Sequence, residues 1–156
     1  MVSKYHRDVE KGILAFGRKY AKRFEKVCDN TVPIHINHPK KRMRPILYHP
    51  DAHLVTRLGK RYVFEILDSE LGNENLIIAD ILLSCLSPNT SHIVFIVPKK
   101  EDEAKVMDLA VTITDNLLNK GINNKEMPKY RAVFYILSSE AETPETVTGI
   151  LADLLL

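Results

Sequence analysis

The run Ile93-Val94-Phe95-Ile96-Val97 constrains the fold more than any other stretch of the chain. Five apolar, mostly β-branched residues in succession offer no polar face to water, so as a strand they must be covered on both sides. A sheet covered on both faces is a layered α/β arrangement, and the flanking sequence supplies the helices. Residues 101–119 place Val106, Leu109, Ala110, Ile113 and Leu117 at helical spacing, with Glu101, Asp102 and Glu103 at the favourable end of the helix dipole. Tyr130 to Leu137 repeats the buried-strand pattern, and Thr143-Pro144-Glu145 opens a last helix with proline at its first position. This β-α-β-α part is expected to be parallel and to wind right-handed.

The N-terminal half reads differently. From Asp8 to Val27, the residues Val9, Ile13, Leu14, Phe16, Ala21, Phe24 and Val27 keep helical spacing, which predicts one long amphipathic helix with a basic face. The stretch from Cys28 to Pro45 predicts a basic surface loop. Ile46-Leu47-Tyr48, Ala52 to Thr56 and Tyr62 to Leu67 predict two or three antiparallel strands, the last two joined by a hairpin around Gly59. Asn75 to Leu86 predicts a deeply buried helix, because it is apolar nearly all round. The expected order is α-β-β-β-α-β-α-β-α, a mixed sheet flanked by helices. With 45% hydrophobic and 27% charged residues, 8 Pro and 6 Gly, the chain is neither disordered nor collagenous, and residues 1–156 are expected to form a single domain. There is no dinucleotide glycine triplet and no Gly-Lys-Ser/Thr turn, which disfavours those two nucleotide-binding modes.

Two acids carry the first candidate chemistry. Asp51 follows Pro50 at the start of one predicted strand, and Glu65 lies within the next, offset along the hairpin so that both reach one end or face. Two carboxylates converging from adjacent strands form a hard-oxygen site for Mg²⁺ or Mn²⁺. The structural alternative pairs Glu65 with Arg57, Lys60 or Arg61 across the hairpin and makes Asp51 a turn residue. Asp80 lies among Ile77, Ile78, Ile81 and Leu82, where a carboxylate needs a partner, most simply a structural one. Asp68 and Glu70 would extend an acidic site or, for Glu70, cap the following helix.

At Pro50-Asp51, the hairpin, and Val63-Phe64-Glu65-Ile66-Leu67, in an α-β-β-β-α-β order, the chain resembles the PD-(D/E)XK nuclease superfamily over residues 5–98. The remaining α-β-α part would be a C-terminal extension of that restriction-endonuclease-like core. The resemblance implies a metal-dependent DNA nuclease, a hydrolase in which Asp51 and Glu65 hold Mg²⁺ or Mn²⁺ and Glu10 adds a third catalytic acid from the first helix. The family's lysine, two residues after the second acid, is Leu67 here, and leucine can neither activate water nor stabilise negative charge. Lys60, or a residue of the helix from Asn75, would have to replace it. Without a replacement, the fold would serve as a nuclease-derived DNA-binding protein.

The formal charge of +2 hides a segregation that bears on partners. Residues 1–61 hold 15 of the 22 basic side chains and 5 of the 20 acidic ones. Lys11, Arg18, Lys19, Lys22, Arg23 and Lys26, followed by Lys40-Lys41-Arg42-Met43-Arg44, form a cationic stripe suited to the phosphates of DNA or RNA. Lys19, Lys22, Arg23, Lys26, Lys40, Lys41, Arg42 and Arg44 are the candidate contacts. A non-catalytic interaction module would use the same charges on an acidic protein or on the acidic half of a second copy in a homodimer. Cys28, His35, His38, His49 and His53 hold zinc-ligating atoms, but Pro39 and Pro50 and the missing cysteine pair argue for ordinary loop histidines. Two separated cysteines, no apolar leader at Met1-Val2-Ser3-Lys4 and no apolar run of about 20 residues predict a cytoplasmic protein without a membrane span.

Overall fold

The computed structural model describes residues 2–38, 40, 43–118, 132–138 and 143–156, with the side chains of 117 and 118 left out. Lys41 and Arg42 of the basic stretch, residues 119–131 at the predicted helix end and strand start, and residues 139–142 lie outside the described residues. The elements are α1 (Lys4–Lys19), β1 (Phe24–Asp29), β2 (Ile34–Ile36), β3 (Ile46–Tyr48), β4 (Ala52–Thr56) and β5 (Arg61–Ile66). A 3-10 turn at Ser69–Gly72 then leads to α2 (Glu74–Leu86), β6 (Thr90–Val97), α3 (Lys100–Ile113), a π-helical turn at Thr114–Leu118, β7 (Val133–Ser138) and α4 (Pro144–Leu155).

A five-stranded sheet runs β1-β4-β5-β6-β7. β1, β4 and β5 are antiparallel neighbours, and β5, β6 and β7 are parallel, so the sheet is mixed as expected. One face carries α1 and α4: Val9, Ile13, Phe16, Val147 and Leu151 pack on Leu54, Phe64, Ile66, Val94 and Ile96. The other carries α2 and α3: Ile77, Ile81, Val106 and Ile113 pack on Leu67, Ile93, Phe95 and Val97. Ile93 to Val97 is fully buried between the layers, which is why it carries no polar residue. Gly12 permits the close approach of α1 to α4, since a Cβ there would lie 2.5 Å from Val147 Cβ.

Three expectations are corrected. The predicted helix 8–27 ends at Lys19, and Phe24 to Asp29 is an edge strand, because pairing of Phe24 through Asp29 with Thr56 through Ala52 outweighs local helical spacing. The antiparallel triple is β1-β4-β5, whereas Ile46–Tyr48 pairs with Ile34–Ile36 in a separate two-stranded ribbon within the expected loop. Helix α2 is half-buried: Ile77, Ile81 and Ser84 are inside, and Leu76 and Leu86 are exposed. Among the described residues, no helix is long and apolar enough to cross a membrane.

Candidate acidic site

Helix α1 begins with Ser3 as its N-cap, the hydroxyl accepting from the His6 N–H at 3.0 Å and donating to Asp68 Oδ2 at 2.5 Å. That second bond ties the helix start to the segment just after β5. His6 and Glu10, one turn apart on α1, are thereby held beside the start of β4. His6 Nε2 lies 3.1 Å from Asp51 Oδ1 and 3.9 Å from Glu10 Oε2.

Asp51 and Glu65 meet. Ala52 pairs with Phe64, and one further step of that register sets Asp51 opposite Glu65, rather than offset from it. The Ile66 N–H donates to Asp51 Oδ2 at 2.7 Å. Glu65 faces away from the α1 layer, in line with Val63 and Leu67, and accepts a hydrogen bond from the Tyr48 hydroxyl. Tyr48 comes from the small ribbon, whose packing on Val63 positions it. Two carboxyls set opposite each other in this register favour a proton on one of them.

Electrostatics place that proton on Glu65. Its burial, then the negative charges of Asp80 and Asp51, push its pKa well above the ordinary carboxylate value. Asp80, reaching in from α2, is raised from 3.8 to about 7 by burial, then by Asp51 and Glu70. Glu10 is raised by burial first, with His6 opposing. His6 is raised, chiefly by its hydrogen bond to Asp51, so this imidazole favours its cationic form beside the acids. Tyr48 is held well above 10 by burial and then by Glu65, which keeps it a donor.

The expected pairing of Glu65 with hairpin cations does not occur. Arg57 donates to the carbonyls of Lys22 (2.9 Å) and Ala21 (2.7 Å), and Arg61 to that of Pro88 (2.8 Å). Among the described residues, Asp51, Glu65 and Asp80 have no Lys or Arg ion pair, and Asp80 has no structural partner of the expected kind. Lys60 sits at the far end of the hairpin, five residues of extended chain from Glu65 or about 17 Å, and cannot replace the missing amine. Leu67 is fully buried in the α2–α3 core. Glu70 caps the 3-10 turn, accepting from the Asp68 N–H at 3.1 Å.

In donor chemistry the group fits a hard divalent cation: several carboxylates and converging negative charge. In their present arrangement, no three His, Cys, Asp or Glu side chains among the described residues form a ligand set. The same holds for the histidines of the zinc reading; His53 lies near the Val32 carbonyl at 3.3 Å and is lowered to about 4, mainly by burial. His6 and Tyr48 were not singled out by sequence reasoning. The signal for His6 was its i,i+4 spacing from Glu10; Tyr48 had none, since its role depends on a long-range ribbon.

The basic candidates divide. Lys19, Lys22 and Arg23 lie at or beyond the C-terminal end of α1, which runs about 20 Å from His6 at 1.5 Å per residue, so they are remote from the acids. Lys26 is exposed on edge strand β1, and Lys40 and Arg44 are exposed on the link between β2 and β3. Comparison with protein-family models, curated proteins and solved structures finds no match to the chain.

Proposed function

We propose that the chain is a DNA-binding protein of the PD-(D/E)XK nuclease type, in which Asp51 and Glu65 take Mg²⁺ or Mn²⁺ and act on a phosphodiester. The observation that carries this reading is the convergence of Asp51 and Glu65, with Glu10 and Asp80 nearby, free of any arginine or lysine pair among the described residues. The element order around them, a helix, three antiparallel strands, a helix and a parallel strand, supports it further. Four acids balanced by one histidine, one tyrosine hydroxyl and one backbone N–H are costly to fold, and a cation would offset that cost. Asp51 and Glu65 would hold the Mg²⁺, which when bound would supply Lewis-acid polarisation of a phosphoryl oxygen and a more acidic water. His6 orients Asp51 and holds a proton at Nε2, while the Ile66 N–H fixes the other carboxyl oxygen.

A second reading rests on Leu67. With a buried leucine where an amine would act, the fold serves as a binding module without cleavage. A Mg²⁺- or Mn²⁺-dependent cleavage assay on duplex, branched and single-stranded DNA, beside Asp51→Ala and Glu65→Ala, separates the two. Cleavage by the parent that both variants lose supports the nuclease reading; DNA binding without cleavage by the parent supports the second.

A further inference from the structure

At the sheet end opposite the acids, the β4–β5 hairpin, the turn after α1 and the start of β6 enclose a groove of about 460 Å³. Its rim carries Lys22, Arg23, Arg57 and Lys60, all exposed, and no acid lines it. Arg57 is fixed by the Ala21 and Lys22 carbonyls, which leave its charge uncompensated, and Arg23 donates to the Tyr62 hydroxyl at 3.2 Å. Among the described residues, none of the four has a carboxylate partner within ion-pair distance. The floor is built of two rings: Tyr62 and His92 stack at 4.1 Å between centroids. Burial and then Arg23 lower the pKa of His92, so the floor stays uncharged at neutral pH. At the hairpin tip, Leu58 is 91% exposed beside this floor.

Four unpaired cations around an apolar, ring-built floor match a ligand with phosphates on its edge and a planar apolar body. The volume suits one nucleotide and not the width of a duplex. We infer that this groove is a single-strand nucleic-acid subsite, with backbone phosphates on Lys22, Arg23 and Lys60 and one base over the Leu58–His92 floor. The choice of a nucleic acid rests on the proposed function, and the groove extends it.

Fluorescence anisotropy of a labelled 12-nucleotide oligothymidine, in EDTA and across 50–200 mM salt, tests the groove. Lys22→Glu combined with Lys60→Glu should weaken binding at least tenfold and reduce the salt slope by about 1.4, two contacts at roughly 0.7 each. Lys99→Glu combined with Lys100→Glu, an equal change of charge at exposed residues outside the groove and the basic stripe, should change affinity less than threefold. Circular dichroism spectra matching the parent qualify each variant. Equal losses in both double variants, loss only in the second, no binding by the parent, or tighter binding of a 12-base-pair duplex would overturn the groove. Because the chelator removes divalent cations, failure of cleavage does not alter this result.

Discussion

Asp80→Asn should stabilise the folded protein at pH 8 and leave it nearly unchanged at pH 4. The Asp80 carboxyl, half-buried on α2, has its pKa raised from 3.8 to about 7 by desolvation, then by Asp51 and Glu70. Between those values the folded protein holds a proton that the unfolded chain has released. Stability therefore falls as pH rises from about 4 to about 7, and the penalty is complete above 7. A difference of about three pKa units corresponds to about 4 kcal/mol at most, at about 1.36 kcal/mol per unit. Partial solvation and readjustment of the neighbouring acids reduce the expected gain to about 2–4 kcal/mol. Urea unfolding followed by circular dichroism, on parent and variant at both pH values, reads the difference. Adding Mg²⁺ at pH 8 should stabilise the parent more than the variant, because a cation among the acids relieves the same repulsion. Equal effects of the substitution at pH 4 and pH 8, or destabilisation at pH 8, would refute the reasoning.

Tyr48→Phe removes the hydroxyl that donates to buried Glu65 and should cost about 1–3 kcal/mol, seen as a lower urea midpoint; an unchanged midpoint would show that bond to be dispensable. Gly12→Ala forces a Cβ to within 2.5 Å of Val147 Cβ and 2.8 Å of the Pro144 carbonyl. It should lower stability by about 1–3 kcal/mol in the same assay, with the loss reduced when Val147→Ala is added. Leu67→Lys places an amine in the α2–α3 core and should cost more than about 3 kcal/mol, so thermal melting should show a marked loss rather than a restored site.

Much of the fold could be read from residues whose pattern is local. Ile93 to Val97 announced a central strand, Gly59 with φ of 80° marked the hairpin, and Thr143-Pro144 marked the start of α4. Strand β1 was hidden because Phe16, Phe24 and Val27 also satisfy helical spacing, and only the pairing partner 23 to 32 residues away decides the matter. The burial of α2 was overread because its sequence has no polar side to contrast with its inner face. In the site, Asp51 and Glu65 were legible as a pair. The roles of His6 and Tyr48 were not, because a capped helix start and a ribbon of three-residue strands bring them in across long separations. The charge asymmetry put the basic residues in the same half of the chain as Asp51, but the length of α1 carries Lys19, Lys22 and Arg23 to the end opposite the acids.

The proposed function stands on Asp51 and Glu65 holding a divalent cation, with the proton of Glu65 released when the cation binds. Calorimetric titration with Mn²⁺ at pH 7.5, in two buffers of different ionisation enthalpy, measures both binding and proton release. The account predicts one site, release of about one proton on binding, and loss of the site in Asp51→Asn and in Glu65→Gln. No binding by the parent, or equal affinity in both variants, would contradict it.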